Sequence, residues 1–205
     1  LDDDNGDLRF RKCMIDSFEL NIGMDDIVKF NAGIKSRVSQ DSSYTAAPAI
    51  DYKFVGRDLE LKVGAATTDL AAATAISVKE LNLTVNKNTD FDWVLGTLEP
   101  EDILNKQITI EGSLTLNYED RTWRNYMLDG DYKAVGIKLT NSRETMASGN
   151  PIIYFEFPRV AFSEWEAKRD NDDIIGQTIN FKVLYNIATS KLVSDCYCIN
   201  SIASY

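Results

Sequence analysis

Residues 17–33 (SFELNIGMDDIVKFNAG) can be laid over residues 80–96 (ELNLTVNKNTDFDWVLG) without a gap. Phe18, Leu20 and Ile22 fall on Leu81, Leu83 and Val85; Val28 and Phe30 fall on Phe91 and Trp93; Gly33 falls on Gly96. Side chains two apart share one face of a strand, so each copy reads as a two-stranded hairpin, apolar on one face and polar on the other. The polar tips MDD and KNT supply the turns. Two such hairpins cannot bury their apolar faces alone. They are expected to meet in one sheet or barrel, or to be completed by neighbouring copies.

A chain of 205 residues is long enough for one domain with a proper core, and 44% hydrophobic residues exclude a disordered chain. The formal charge of −10 argues against tight wrapping of nucleic acid, which needs clustered Lys and Arg to neutralise phosphates. Apolar runs fall far short of the roughly 20 residues of a bilayer span, and no signal-peptide pattern opens the chain, so the expectation is a soluble protein with no membrane partner. The first residue is Leu, which points to processing or to a boundary upstream. Cys196 and Cys198 stand two apart on an expected strand, too far for an easy disulfide. With a third thiol and no histidine they make an incomplete zinc set, so reduced strand cysteines in a chain made in a cytoplasm are expected.

Alternation dominates the rest. Residues 8–14 lead into the first hairpin. Residues 36–49 are rich in Ser, Ala and Thr, 52–63 read as a strand, and 64–75 (GAATTDLAAATA) lack any burying period and are expected to be a mobile loop. Residues 98–105 suggest a turn or a short helical turn. Residues 107–119 alternate strictly, placing Ile108, Ile110, Leu114 and Leu116 on one face. The one clear helix is 120–128, with Asp120 as N-cap, Gly130 as stop, and a stripe of Trp123, Met127 and either Tyr126 or Leu128. Strands follow at 133–139, 152–157, 160–168, 174–186 and 192–199. The predicted class is all-β, an antiparallel β-sandwich or barrel with one short flanking helix.

Candidate chemistry is thin. Histidine is absent, which removes the usual general base and the Ser-His-Asp and Cys-His arrangements. Catalysis would rest on carboxylates, and no pair among 32 acidic residues stands out, Glu156 with Glu164 included. No enzyme activity, catalytic residue, cofactor or metal is expected. The run DDDNGD at 2–7 has a calcium-loop look, but Leu1 and Lys12 stand where acids are needed, so it reads as a solvated acidic arm. RDNDD at 169–173 suits a hairpin turn. The sequon Asn82-Leu-Thr84 lies inside an expected strand and is discounted. Trp93, Trp123 and Trp165 each fall in phase with an apolar stripe, so packing in a core or an interface is expected over stacking on sugars or bases.

The block from LKVGAATTDLAAATA through DFDWVLGTLEPEDILNKQITIEGSLTLNYED resembles the tail tube proteins of tailed bacteriophages. The order of parts carries the likeness: an extended loop, a strand hairpin, a Gly and a Pro-Glu turn, then a long alternating strand before a short helix. The closing FEFPRVAFSEWEAKRDNDDIIGQTINFKVLYN and terminal INSIASY agree, so the likeness covers residues 13–205 and leaves out the acidic start.

The resemblance implies a virion subunit, made in the bacterial host cytoplasm, that closes into a ring, usually of six. Rings would stack into a tube that conducts double-stranded DNA without binding it specifically, in contact with identical subunits and other tail proteins. The expected organisation is a single domain over 1–205 with an acidic arm at 1–10 and an inter-subunit loop region at 36–75, loose until assembly. Glu19, Asn21, Lys29 and Asn31 from the first copy, and Asn82, Thr84 and Asp92 from the second, are expected to face the lumen. Trp123, Asp69 and Leu70 are expected at subunit contacts. A ring of six would carry about −60 charges at −10 each. The tube of a contractile injection system would share the fold, and a β-sandwich module recognising sugars or cell surfaces is the alternative from another class.

Overall fold

The computed structural model describes residues 7–24, 26–37, 39–42, 53–146, 149–168 and 175–200. The DDDN run of the acidic arm, the RDNDD turn, Pro48 and the terminal SIASY lie outside them. The strands are β1 (Asp7–Phe10), β2 (Met14–Gly23), β3 (Lys29–Lys35), β4 (Ser39–Ser42), β5 (Leu59–Gly64), β6 (Glu80–Asn86), β7 (Asp90–Asp92), β8 (Asp102–Leu104), β9 (Thr109–Asn117), β10 (Lys133–Thr140), β11 (Ile152–Lys168), β12 (Gly176–Val183) and β13 (Asp195–Ile199). The one α-helix among the described residues is α1 (Thr122–Asp129). The class is all-β, as the alternation predicts.

Two compact units divide the chain. The larger comprises Leu20–Lys29, Tyr52–Leu83 and Ile110–Tyr205. Here β9, β12, β11, β10 and β5 pair antiparallel in that order, and the ends of β2 and β6 that belong to this unit continue the order as β2-β6-β9. Leu20, Leu81, Leu83, Ile137, Val160 and Ile179 are fully buried; each such side chain stabilises by about 1.5–3 kcal/mol relative to exposure. β11 runs unbroken through Pro158, where two strands are expected. Its first part pairs with β10 and β13 and its second with β12, and the register slips opposite Lys133 and Val135. The proline, which has no N–H to give a ladder, stands at that changeover.

Helix α1 packs against β11. Tyr126, not Leu128, completes the stripe: it stacks on Phe162 at 6.0 Å, whereas Leu128 is 59% exposed. Gly130 ends the helix at φ 67°, a left-handed conformation that suits glycine. Asp120 acts one position before the structural cap, its carboxylate accepting the Thr122 N–H at 2.8 Å.

The expected mobile loop at 64–75 is instead held. Thr67–Asp69 makes a 3-10 turn, the Asp69 carboxylate accepts the Ala66 N–H at 3.0 Å, and Leu70 is buried. One buried leucine anchors a segment whose small residues carry no period. Within 36–75, β4 pairs with β1, and β5 falls on the segment read as a strand at 52–63.

The smaller unit comprises Leu1–Glu19, Phe30–Asp51 and Thr84–Thr109. The first repeat copy makes its hairpin, with β3 beside β2. The second does not. β6 is flanked by β2 and β9, so neither edge is free, and β7 pairs with β8 instead, in a segment expected to be a turn. Its KNT tip is tied to β2: the Lys87 N–H donates to the Asp16 carbonyl at 2.8 Å, and the Asp16 carboxylate accepts the Thr89 N–H at 2.7 Å and hydroxyl at 2.6 Å.

Candidate functional site

Two surfaces stand out. The first is the polar face of the large sheet. Cross-strand register sets Glu111 opposite Lys182, Ser113 opposite Asn180, and Thr115 opposite Thr178. On the other side of β12, Asn180 faces Glu164 and Thr178 faces Glu166. Asn82 joins this face through a 3.4 Å hydrogen bond to the Ser113 hydroxyl. Lys182 donates to Glu111 at 2.6 Å and Asn180 to Glu164 at 2.7 Å. Glu80 and Lys168 extend the same alternation. Four carboxylates against two ammonium groups leave a mild negative balance among many amides and hydroxyls. The face is polar because the apolar residues Leu81, Leu83, Leu114, Leu116, Ile179 and Phe181 stand at intervening positions and are buried beneath it. Gly112 is part of that underside: a Cβ there would come within 2.4 Å of the Asn82 carbonyl and the Phe181 ring.

The second surface is in the smaller unit. β3 ends the strand order with one strand neighbour among the described residues, and Lys29 to Ile34 are all exposed. Phe30 is 42% exposed and Ile34 61%. Such an edge presents unpaired N–H and C=O groups to any strand that can reach them. Its far end is fixed from within, since Lys35 donates to the Thr89 carbonyl and pairs with Asp16 at 3.2 Å. The Asp16 carboxyl is held below the usual carboxylate range, first by the Thr89 hydroxyl and then by the Thr89 amide.

Of the residues expected to line a lumen, Asn21, Asn82 and Thr84 are half-buried polar positions that alternate with buried leucines and isoleucine. Glu19, Lys29 and Asn31 are exposed, and Lys29 pairs with Asp26 at 2.6 Å. Asp92 lies on β7, outside the large sheet. The sequence does not single out Ser113, Thr115, Thr178 and Asn180, because with no partner strand assigned nothing places them beside Asn82. Of the three expected contact residues, only Asp69 is exposed. Leu70 is 3% and Trp123 8% exposed within the chain.

Trp165 is half-buried and donates to Gln177 at 2.9 Å, whereas Trp93 is exposed. Cys13, Cys196 and Cys198 are free and exposed. No group of three metal-ligating side chains occurs among the described residues. A cavity of about 300 Å³ lies over Gly136, where Tyr154 donates to Glu156 at 2.6 Å and meets the Tyr197 ring at a tilt, 5.1 Å between centroids. Burial, and then that hydrogen bond, push the Tyr154 hydroxyl above the ordinary phenol range.

A family model described as phage tail tube protein matches residues 2–183. No curated protein matches the chain.

Proposed function

The chain belongs to the phage tail tube protein family, and on that premise we propose that six copies close into a ring, that rings stack into a tube, and that the genome leaves the virion through its bore. Membership makes the chain a structural component of a phage tail, one that associates with itself and with other tail proteins. Assembly takes place in the host cytoplasm and involves no catalysis by this subunit.

The observation that supports the reading is the two-faced sheet: an apolar underside sealed by buried side chains, and a polar face of Asn21, Asn82, Ser113, Thr115, Thr178 and Asn180 with scattered carboxylates. We assign this face, with Glu19 and Thr84, to the lumen. Its balance of two negative charges per copy gives about twelve in a ring of six, far fewer than the about −60 of whole subunits. Low friction then comes mainly from short neutral side chains. They offer DNA no cation cluster, and of the two ammonium groups present Lys182 is already committed to Glu111. The exposed edge of β3 is the other half of the reading, since ring closure is one way to remove a free edge.

Cryo-electron microscopy of concentrated protein tests both parts. The expected result is rings or tubes with Asn82, Asn180 and Glu164 at the bore. A bore lined by any other face refutes the lumen assignment. A chain that stays monomeric at all concentrations and is retained on a glycan array is a binding module instead.

A further inference from the structure

The two most exposed apolar side chains of the smaller unit stand in one loop. Trp93 is 63% exposed, and Leu95 and Leu98 are fully exposed at 103% and 99%. The loop is nonetheless shaped: Gly96 turns it at φ 91°, the Thr97 hydroxyl donates to the Val94 and Glu99 carbonyls at 3.2 and 2.9 Å, and Glu101 N–H to the Asp92 carbonyl at 2.8 Å closes its base. Single exposed leucines are ordinary; a run of them on a fixed turn marks a contact surface. Acids follow the run, Glu99 directly after Leu98 and Glu101 beyond Pro100, and Glu99 pairs with Arg37 at 3.6 Å. No side-chain partner of Glu101 occurs among the described residues.

The larger unit holds a complementary hollow. A cavity of about 390 Å³ is lined by Met24, Leu59, Ile76 and Val78, with Arg57 and Lys79 also in its wall. Neither cation has an ion-pair partner among the described residues. Glu80, at the same hollow, is engaged by the Asn82 amide at 3.2 Å. In a chain of net charge −10, two uncommitted cations beside an apolar hollow are a local exception.

We infer that residues 93–101 of one copy dock into this hollow on a second copy, Leu95 and Leu98 entering it and Glu101 meeting Arg57 and Lys79. The inference rests on the reading that the chain self-assembles, and specifies one interface of that assembly. Two different patches of the same chain meet, so the contact is head-to-tail and propagates: it closes into a ring or runs on as a stack. The charges set its direction, because loop against loop would bring acid to acid.

The test is a crosslink between Thr97→Cys and Ser77→Cys in a chain whose three native cysteines are changed to Ser, oxidised with copper phenanthroline after assembly. A ladder of covalent oligomers is expected on a non-reducing denaturing gel, absent with either cysteine alone. A ladder ending at a fixed number assigns the contact to the ring, and one that runs on assigns it to the stack. Particles that form without a ladder, or with only an internal crosslink, overturn the inference and leave self-assembly standing; a parent chain that never assembles overturns both. A second measurement keeps native cysteines: Glu101→Lys should raise the assembly threshold at least tenfold, and Lys79→Glu in the same chain should restore it. An unchanged threshold, or no restoration, refutes the pairing.

Discussion

Trp123 separates a core role from a contact role, and the two make opposite predictions. Its indole is 8% exposed, meets Phe162 edge-on at 5.3 Å and 83°, and meets Tyr126 at 6.0 Å and 81°. Phe162 is itself only 6% exposed, so the ring cluster is what holds α1 to β11. Trp123→Ala removes the indole from a site whose walls are the helix backbone and the sheet, neither free to collapse. The cost is therefore expected at the usual size for a buried aromatic, about 3–5 kcal/mol. For a chain of this length that is a fall in Tm on the order of 6–20 °C. Trp123→Phe keeps the edge-on contact and should cost clearly less. Leu128→Ala, on the exposed side of the same helix, should stay within about 0.5 kcal/mol. The assay is urea unfolding of dilute, unassembled protein followed by circular dichroism, with tube formation at high concentration scored separately. If Trp123→Ala leaves the dilute subunit as stable as Leu128→Ala does but abolishes assembly, Trp123 is a subunit contact and the packing argument fails.

Gly112→Ala should cost about 1–3 kcal/mol, because its Cβ meets a backbone oxygen as well as the Phe181 ring; an unchanged urea midpoint would show that β6 and β9 separate freely. Asp16→Asn tests the tie between β2 and the KNT turn. The Asp16 pKa is lowered on folding, so its contribution is present above the ordinary carboxylate range near about 3.9 and is lost as pH falls through the depressed value. The Tm gap between parent and variant should therefore narrow in strong acid, and a gap constant down to about pH 2 refutes the assignment. Tyr154 is raised on folding, so its contribution is present below about pH 10 and is lost as pH climbs through the folded value. Absorbance titration at about 295 nm should show the last phenol step missing in Tyr154→Phe; loss of an earlier step would refute the buried hydrogen bond.

Class and core were legible because both rest on alternation. Leu20, Ile22, Leu81 and Leu83 were expected on one apolar face and are all buried. The helix was legible because its signals are local: an acid ahead of the first turn, a stripe, a glycine at the end. What could not be read was anything decided by a distant partner. The segment 64–75 looks unstructured because one leucine holds it, and a single apolar residue has no period. β8 gives no strand signal, being a three-residue ladder that exists only because β7 needs a partner.

The broken second hairpin shows why a repeat in sequence need not be a repeat in structure. A strand of the large sheet has two edges, and the order of pairing decides which are spent. β6 lies between β2 and β9, so the segment after its turn finds no edge and pairs with β8. β2 has β6 on one edge only, so its following segment completes the pair as β3, whose other edge has no strand neighbour among the described residues. The same seventeen-residue pattern thus yields a hairpin ending in an exposed terminal strand, β3, in one copy, and in the other a second strand, β7, that leaves the large sheet to pair with β8. Among the described residues, pairing within one chain therefore leaves one edge of β3 without a strand neighbour. If the proposed ring forms, that edge is where strand pairing between copies costs least, since no existing ladder must break to make it. Ile34→Pro removes one N–H from this edge; should assembly survive it with β3 unpaired between copies, closure must run through other surfaces, and the loop at 93–101 becomes the first to examine.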